Sequence, residues 1–197
     1  MSTVKSKKLQ VGTDATSSNN FTIYQPATPD GTLRIGVGNA DSPTEVGRFN
    51  ANGYVATNAP AFSAYNNGTQ SVSASTDTKV VFDHENFDTN SNYDNATNYR
   101  FTPTVAGYYQ FNTNVYVANF GGSWMRIYIM KNGSANTEFD RTITAGQTTL
   151  NGSCILYANG TTDYFEIYIK CQGGTTVQVG ANDANLMTFN ATLVRAS

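Results

Sequence analysis

The segment TPTVAGYYQFNTNVYVA, residues 102–118, alternates so regularly that it reads as one long β-strand. Tyr109, Phe111, Thr113, Val115 and Val117 share one side. Gln110, Asn112 and Asn114 share the other, as a solvent-facing side should, but so do Tyr108 and Tyr116. Side chains switch face at every residue, so parity fixes where those rings point. Three further segments repeat the pattern. In WMRIYIMK (124–131), Met125, Ile127 and Ile129 align, opposed by Trp124, Arg126, Tyr128 and Met130. In YFEIYIKC (164–171), Phe165, Ile167, Ile169 and Cys171 form the core side, leaving Tyr164 and Tyr168 outside with Glu166 and Lys170. In CILYA (154–158), Cys154, Leu156 and Ala158 align, and Tyr157 is left with Ile155. A tyrosine ring buries area while its hydroxyl keeps a polar partner, so a sheet face rich in tyrosine marks an interface. The expectation is one sheet whose outer face offers Tyr108, Tyr116, Tyr128, Tyr157, Tyr164 and Tyr168 to other copies of the chain.

The composition points the same way. Charged residues are 13% of the 197 residues and the net charge is -2. No basic stripe of the kind that nucleic-acid binding needs is present; the one cluster, Lys5, Lys7 and Lys8, reads as a solvated end. Asn, Thr, Gly, Ser and Tyr replace the charges, which disfavours helices and suits strands joined by tight turns. No stretch is apolar for long enough to span a membrane, and MSTVKSKKLQ lacks the apolar run of a secretory signal, so assembly in a cytoplasm is expected.

Two regions are expected, 1–58 and 59–197. The first holds short apolar patches, FTIY at 21, LRIGV at 33, EVGRF at 45 and GYV at 53, divided by turn signals. It is too thin in apolar residues to close a core alone. It must lie on the second region, share a core with other copies, or stay disordered, and its regular punctuation argues against disorder. The second region offers strands at 61–65, 70–74, 78–83, 99–103, 107–118, 124–131, 137–144, 149–158, 163–171, 175–180 and 186–195, with no convincing helix. So many short antiparallel strands mean a sandwich or jelly roll.

Landmarks in the second region resemble a known family. AFSA (61–64), VVFD (80–83), NFD (86–88), NYDNATNYRFTPTVAGYYQF (92–111), KNG (131–133), LYANGTTDYFEI (156–167) and FNATLV (189–194) follow in order. Together they resemble the globular head of the complement and tumour-necrosis-factor superfamily. That resemblance implies an all-β fold, a ten-stranded antiparallel jelly roll that associates as a homotrimer. Residues 7–55 resemble the repetitive shaft segments of bacteriophage fibres, which implies a short β-rich stalk or anchor. The combined expectation is a virion structural protein assembled in a host cytoplasm, a tail fibre or appendage. Its N-terminal region would dock on other virion proteins. Its head would bind a host-surface glycan or protein through Tyr65, Tyr93, Tyr99, Phe120 and Trp124. Capsid decoration at threefold positions is the alternative, and a polysaccharide-degrading enzyme the third reading.

Enzyme chemistry finds little footing. The single histidine, His84, gives no nucleophile–base–orienter set. Asp83, Glu85, Asp88 and Asp94, or Glu138 and Asp140, could in principle form a glycosidase pair, but the chain has no room for the long β-helical body on which phage depolymerases usually rest. DTNSNYD (88–94) starts like a calcium loop, yet Tyr93 and Tyr99 stand where Gly and Glu are needed. No cofactor is expected; a calcium ion on loop oxygens near Asp88 and Asp94, as related heads sometimes hold, is left open. If NGTTD closes a hairpin, Cys154 and Cys171 lie about 13 Å apart, too far for a disulfide, and two buried free thiols are expected.

Overall fold

The computed structural model describes residues 6–16, 19–56, 59–143, 145–173, 177–179 and 186–197. Lys5 of the basic cluster, Thr144, and residues 175, 176 and 180 of an expected strand lie outside the described residues. The chain divides into two compact units, Met1–Asn58 and Ala59–Ser197.

The first unit is an antiparallel meander of β1 (Lys8–Val11), β2 (Phe21–Tyr24), β3 (Leu33–Val37), β4 (Thr44–Asn50) and β5 (Gly53–Ala56), paired in that order. Each of the four apolar patches has become a strand. The turns close through short polar side chains that mimic a backbone turn. Asn20 accepts from the Asp14 amide and donates back to the Asp14 carbonyl. Asp30 accepts from Thr32, Asn39 from Asp41, and Asn50 from Asn52.

The second unit is an antiparallel sandwich of two sheets. The seven-stranded sheet runs β7 (Gln70–Val72), β17 (Val177–Val179), β12 (Gly107–Phe120), β18 (Thr188–Ala196), β6 (Ala61–Tyr65) and β9 (His84–Asp88), with β15 (Gly146–Ala158) also on β12. The six-stranded sheet runs β10 (Tyr93–Asp94), β11 (Arg100–Phe101), β16 (Phe165–Gln172), β13 (Trp124–Lys131) and β14 (Ser134–Thr142), with β8 (Thr78–Lys79) also on β16. This is an antiparallel jelly-roll sandwich, the fold that the resemblance implies. Two-residue pieces such as β8, β10 and β11 bring the described strands above ten.

β12 is the opening segment of the sequence, and its parity holds. Tyr109, Phe111, Val115 and Val117 are buried, and Tyr108 and Asn112 are exposed. Phe111 sits where the two sheets meet: its ring lies 4.6 Å from Phe165 across the sandwich and 6.1 Å and 6.2 Å from Phe189 and Phe101. Phe62 packs face to face on Tyr93 and Phe101 at 4.7 Å and 4.6 Å.

NGTTD does not close a hairpin. β15 pairs with β12 and β16 with β13, so residues 159–163 carry the chain from one sheet to the other. Asn159 Oδ1 accepts from the amides of Thr161, Thr162 and Asp163, and Gly160 takes the left-handed φ of 73°. The expected 13 Å separation therefore has no basis, although both cysteines are free thiols, Cys171 buried and Cys154 half-buried. Burial pushes the Cys154 thiol up to about 11.

Because Phe111 touches both sheets, Phe111→Ala should cost about 3–5 kcal/mol by loss of contact plus a residual cavity. Urea unfolding followed by tyrosine fluorescence checks this; a loss below about 1 kcal/mol would mean the sheets are not joined through that ring.

Candidate interaction surface

A sandwich has two outer faces, and parity names the face of a strand without saying which sheet the strand joins. The six tyrosines split between them. Tyr108, Tyr116 and Tyr157 belong to the outward register of the seven-stranded sheet, through β12 and β15, although Tyr116 is half-buried and packs against the core. Tyr128 and Tyr168 are paired on the outside of the six-stranded sheet, through β13 and β16, and Tyr164 precedes β16. The expectation of one six-tyrosine patch is corrected accordingly.

The two outer faces differ in chemistry. On the six-stranded sheet, Arg126 and Arg141 both bind Glu138 at 2.9 Å and 2.8 Å, Lys170 binds Asp77 at 3.1 Å, and Lys79 binds Glu166 at 2.5 Å. Tyr128 is covered by its own chain: it is 3% exposed and donates to Asp77 Oδ1 at 2.5 Å. Burial, then Asp77, raises its phenol far above the usual range. Tyr164 is half-buried with the Arg100 guanidinium 4.4 Å over its ring. These are rings within an ion-paired surface.

The outside of the seven-stranded sheet is different. Its central rows follow from the register. Ala61, Thr192, Gln110 and Ile155 form one; Phe87, Ser63, Asn190, Asn112 and Ser153 form the next; His84, Tyr65, Thr188, Asn114 and Asn151 form a third. None of these side chains is a Lys, Arg, Asp or Glu. At one end Tyr108 and Tyr157 meet edge to face at 5.5 Å. Tyr108, Tyr157, Ile155 and Phe87 are 41–54% exposed. In the middle, the side-chain oxygen of Asn190 is shielded from solvent without a hydrogen-bond donor. Charge depletion with exposed aromatic rings is the signature of an interface core. Phe87 was missed because no strand was expected over residues 84–88; HENFD forms β9, where Phe87 stands beside Ser63.

The five ligand candidates do not converge. Tyr93 is a core residue, its ring on Phe62 and its hydroxyl donating to the Phe82 carbonyl at 3.1 Å. Phe120 is 3% exposed because a bulge after Val117 turns it inward. Tyr65 belongs to the uncharged face, stacked on His84 at 5.2 Å. Tyr99 is half-buried with a left-handed φ of 49°. Trp124 is half-buried on the ion-paired face, with Arg141 and Arg126 guanidinium groups 5.0 Å and 5.8 Å from its ring.

The acidic candidates serve the fold. Asp88 accepts from the amides of Asn90 and Tyr93, and Asp94 from those of Ala96, Thr97 and Asn98. Both carboxylates of the calcium reading are thus used to hold their own loop. Among the described residues no three His, Cys, Asp or Glu side chains gather to hold a metal. His84 Nδ1 sits 2.8 Å from Asp83, and Asp140 accepts from the Asn151 amide.

Comparison with protein families matches the C1q domain over residues 61–192, more than half of the chain. No curated protein matches the sequence. Among solved structures, murine APRIL is similar with a TM-score of 0.51 at 9% identity, covering 69% of this chain and 99% of that one. Eiger TNF from S. frugiperda gives 0.51 at 8%, covering 71% and 93%. The vertex protein P5 of PRD1 gives 0.42 at 14%, covering 71% and 98%, a score that does not establish a common fold.

Arg141, then Arg126, holds the Glu138 carboxyl down to about 2, and the Thr97 amide with the Asn98 side chain holds Asp94 down to about 2. A depressed carboxyl stabilises the fold above its unfolded pKa and stops doing so as pH falls through the folded one. Stability should therefore drop between pH 4.5 and about 2. Glu138→Gln with Asp94→Asn should be less stable at pH 7 and flatter in acid. Guanidinium midpoints across that range check it; an unchanged acid slope would refute the assignment.

Proposed function

The chain belongs to the C1q domain family, and on that premise we propose that it is a homotrimeric structural protein of a bacteriophage virion, a tail fibre or related appendage. Its jelly-roll head binds a host-surface ligand, carbohydrate in preference to protein. The observation that carries the reading is the outer face of the seven-stranded sheet, whose central rows carry no Lys, Arg, Asp or Glu, with Ile155 and Phe87 exposed upon it and Tyr108 and Tyr157 exposed at one end beside Arg195. Three copies packed through this face would bury those rings. Asn190 at its middle would then meet a donor from a neighbouring copy. The ion-paired face would be left outward, where Trp124 between two guanidinium groups offers a stacking platform for a sugar ring.

The virion assignment is supported by the resemblance of residues 7–55 to fibre shafts. The first unit is then the anchor to other virion proteins. Family members of this type are non-enzymatic ligand-binding modules, in keeping with a binding role. Capsid decoration uses the same trimer, and gold labelling of intact particles separates the two by placing signal on tail or head.

Sedimentation at micromolar concentration should give three times the chain mass of 21.3 kDa. Tyr108→Arg with Ile155→Arg should dissociate the head trimer, because burying unpaired like charges costs several kcal/mol. Trp124→Ala should weaken binding to host glycan about tenfold, the effect of ~1.4 kcal/mol, with the mass unchanged. A monomeric native chain would refute the trimer, and host adsorption unaffected by head deletion would refute the receptor role.

A further inference from the structure

The five-stranded sheet of the first unit has two faces, and the register sorts them. Val11, Phe21 and Val37 are neighbours on one face; Leu9, Ile23, Ile35 and Gly47 form the next row; Leu33, Phe49 and Tyr54 the last. No ionisable side chain other than the Tyr54 phenol lies among them. The opposite face carries Lys8, Gln10, Thr22, Tyr24, Arg34 and Arg48. There Arg34 binds Asp30 at 2.5 Å and Glu45 at 3.0 Å, Arg48 binds Glu45 at 2.6 Å, and Lys8 binds Asp41 at 3.4 Å.

Burial in this sheet does not follow polarity. On the polar face Thr22 is fully buried and the Tyr24 ring and Pro43 close over Gly36, while Lys8 and Gln10 stay exposed. On the apolar face Leu9, Val11, Phe21, Leu33, Phe49 and Tyr54 are 46–59% exposed. Tyr54 folds across Gly47 and leans on Phe49 at 5.2 Å, so the face is ordered from within, yet its outer side has no cover among the described residues of its unit. Side chains of this size, half exposed, leave on the order of 700 Å² of contiguous apolar surface, well beyond what a lone soluble unit shows.

We propose that this face is an interface between copies of the same chain, each copy presenting its β1–β5 face to the others. Two features select that occupant. An area on the order of 700 Å² per copy is close to the ~800 Å² per partner of a stable interface. The surface that covers it must also be free of charge, since ion-paired groups pressed against it would lose their water without gaining partners. The same face of another copy meets that condition. With trimeric heads, three such faces close about one axis into a three-sided β-structure. The count of three rests on the proposed trimer; the identity of the occupant does not.

The test uses the full-length chain. Val11→Cys, Leu33→Cys and Phe49→Cys, made singly and treated with a short bis-maleimide, should give interchain crosslinks. The yield should be several-fold above that of Arg48→Cys on the opposite face and of the native chain. Second, Tyr108→Arg with Ile155→Arg, which opens the head interface, should leave a multimer in sedimentation, and adding Phe49→Lys should convert it to monomer. Absence of crosslinks from all three positions in a multimeric protein overturns the inference, because something else then covers the face. A head-face variant that is already monomeric overturns it too, while leaving the trimeric head intact. A monomeric native chain overturns both.

Discussion

β12 is the strand to which the rest of the second unit is referred. One of its edges carries β15 along almost its whole length, and the other carries β18 and then β17. Its inward side chains Tyr109, Phe111, Val115 and Val117 are the middle of the core. Its outward side chains Tyr108, Gln110, Asn112, Asn114 and Tyr116 run along the outer face of the seven-stranded sheet. A single period-two pattern therefore sets the packing of the sandwich and the chemistry of its broad outer surface together. A slip of one residue would exchange the two sets, which is why hydrophobic parity can fix the register so firmly.

The two units share a habit of segregating charge. In each, ion pairs gather on one sheet face and another face is left without them. What these pairs mark is a face that cannot be pressed against an apolar partner without desolvating charge. The uncharged faces are the ones that can be dried without stranding a charge.

Much of the fold was legible in the sequence because alternation is local. The strands around Phe111, Ile127, Ile167 and Phe189 could be read from neighbouring residues alone. What was not legible required long-range information. Tyr128 and Tyr108 obey the same parity rule, yet they end on opposite sides of the molecule, because sheet membership depends on which distant strand supplies the hydrogen bonds. Asn159-Gly160 looks like a hairpin signal, but Asn159 caps an arch between sheets. Phe120 was expected outside and is inside because a bulge inserts one residue and resets the alternation. Tyr93 sits in a polar stretch, yet its ring stacks on Phe62 in the core.

The position of β18 has a consequence for the order of events during synthesis. It lies between β6 and β12, strands from the beginning and middle of the unit, and bonds to both. Until it arrives, those two strands have open edges toward each other and Phe62 and Phe111 lack the ring of Phe189. A ribosome-bound chain thus cannot finish this sheet piecemeal. The unit must wait, with adhesive edges exposed, for its final segment to emerge and slot into the gap.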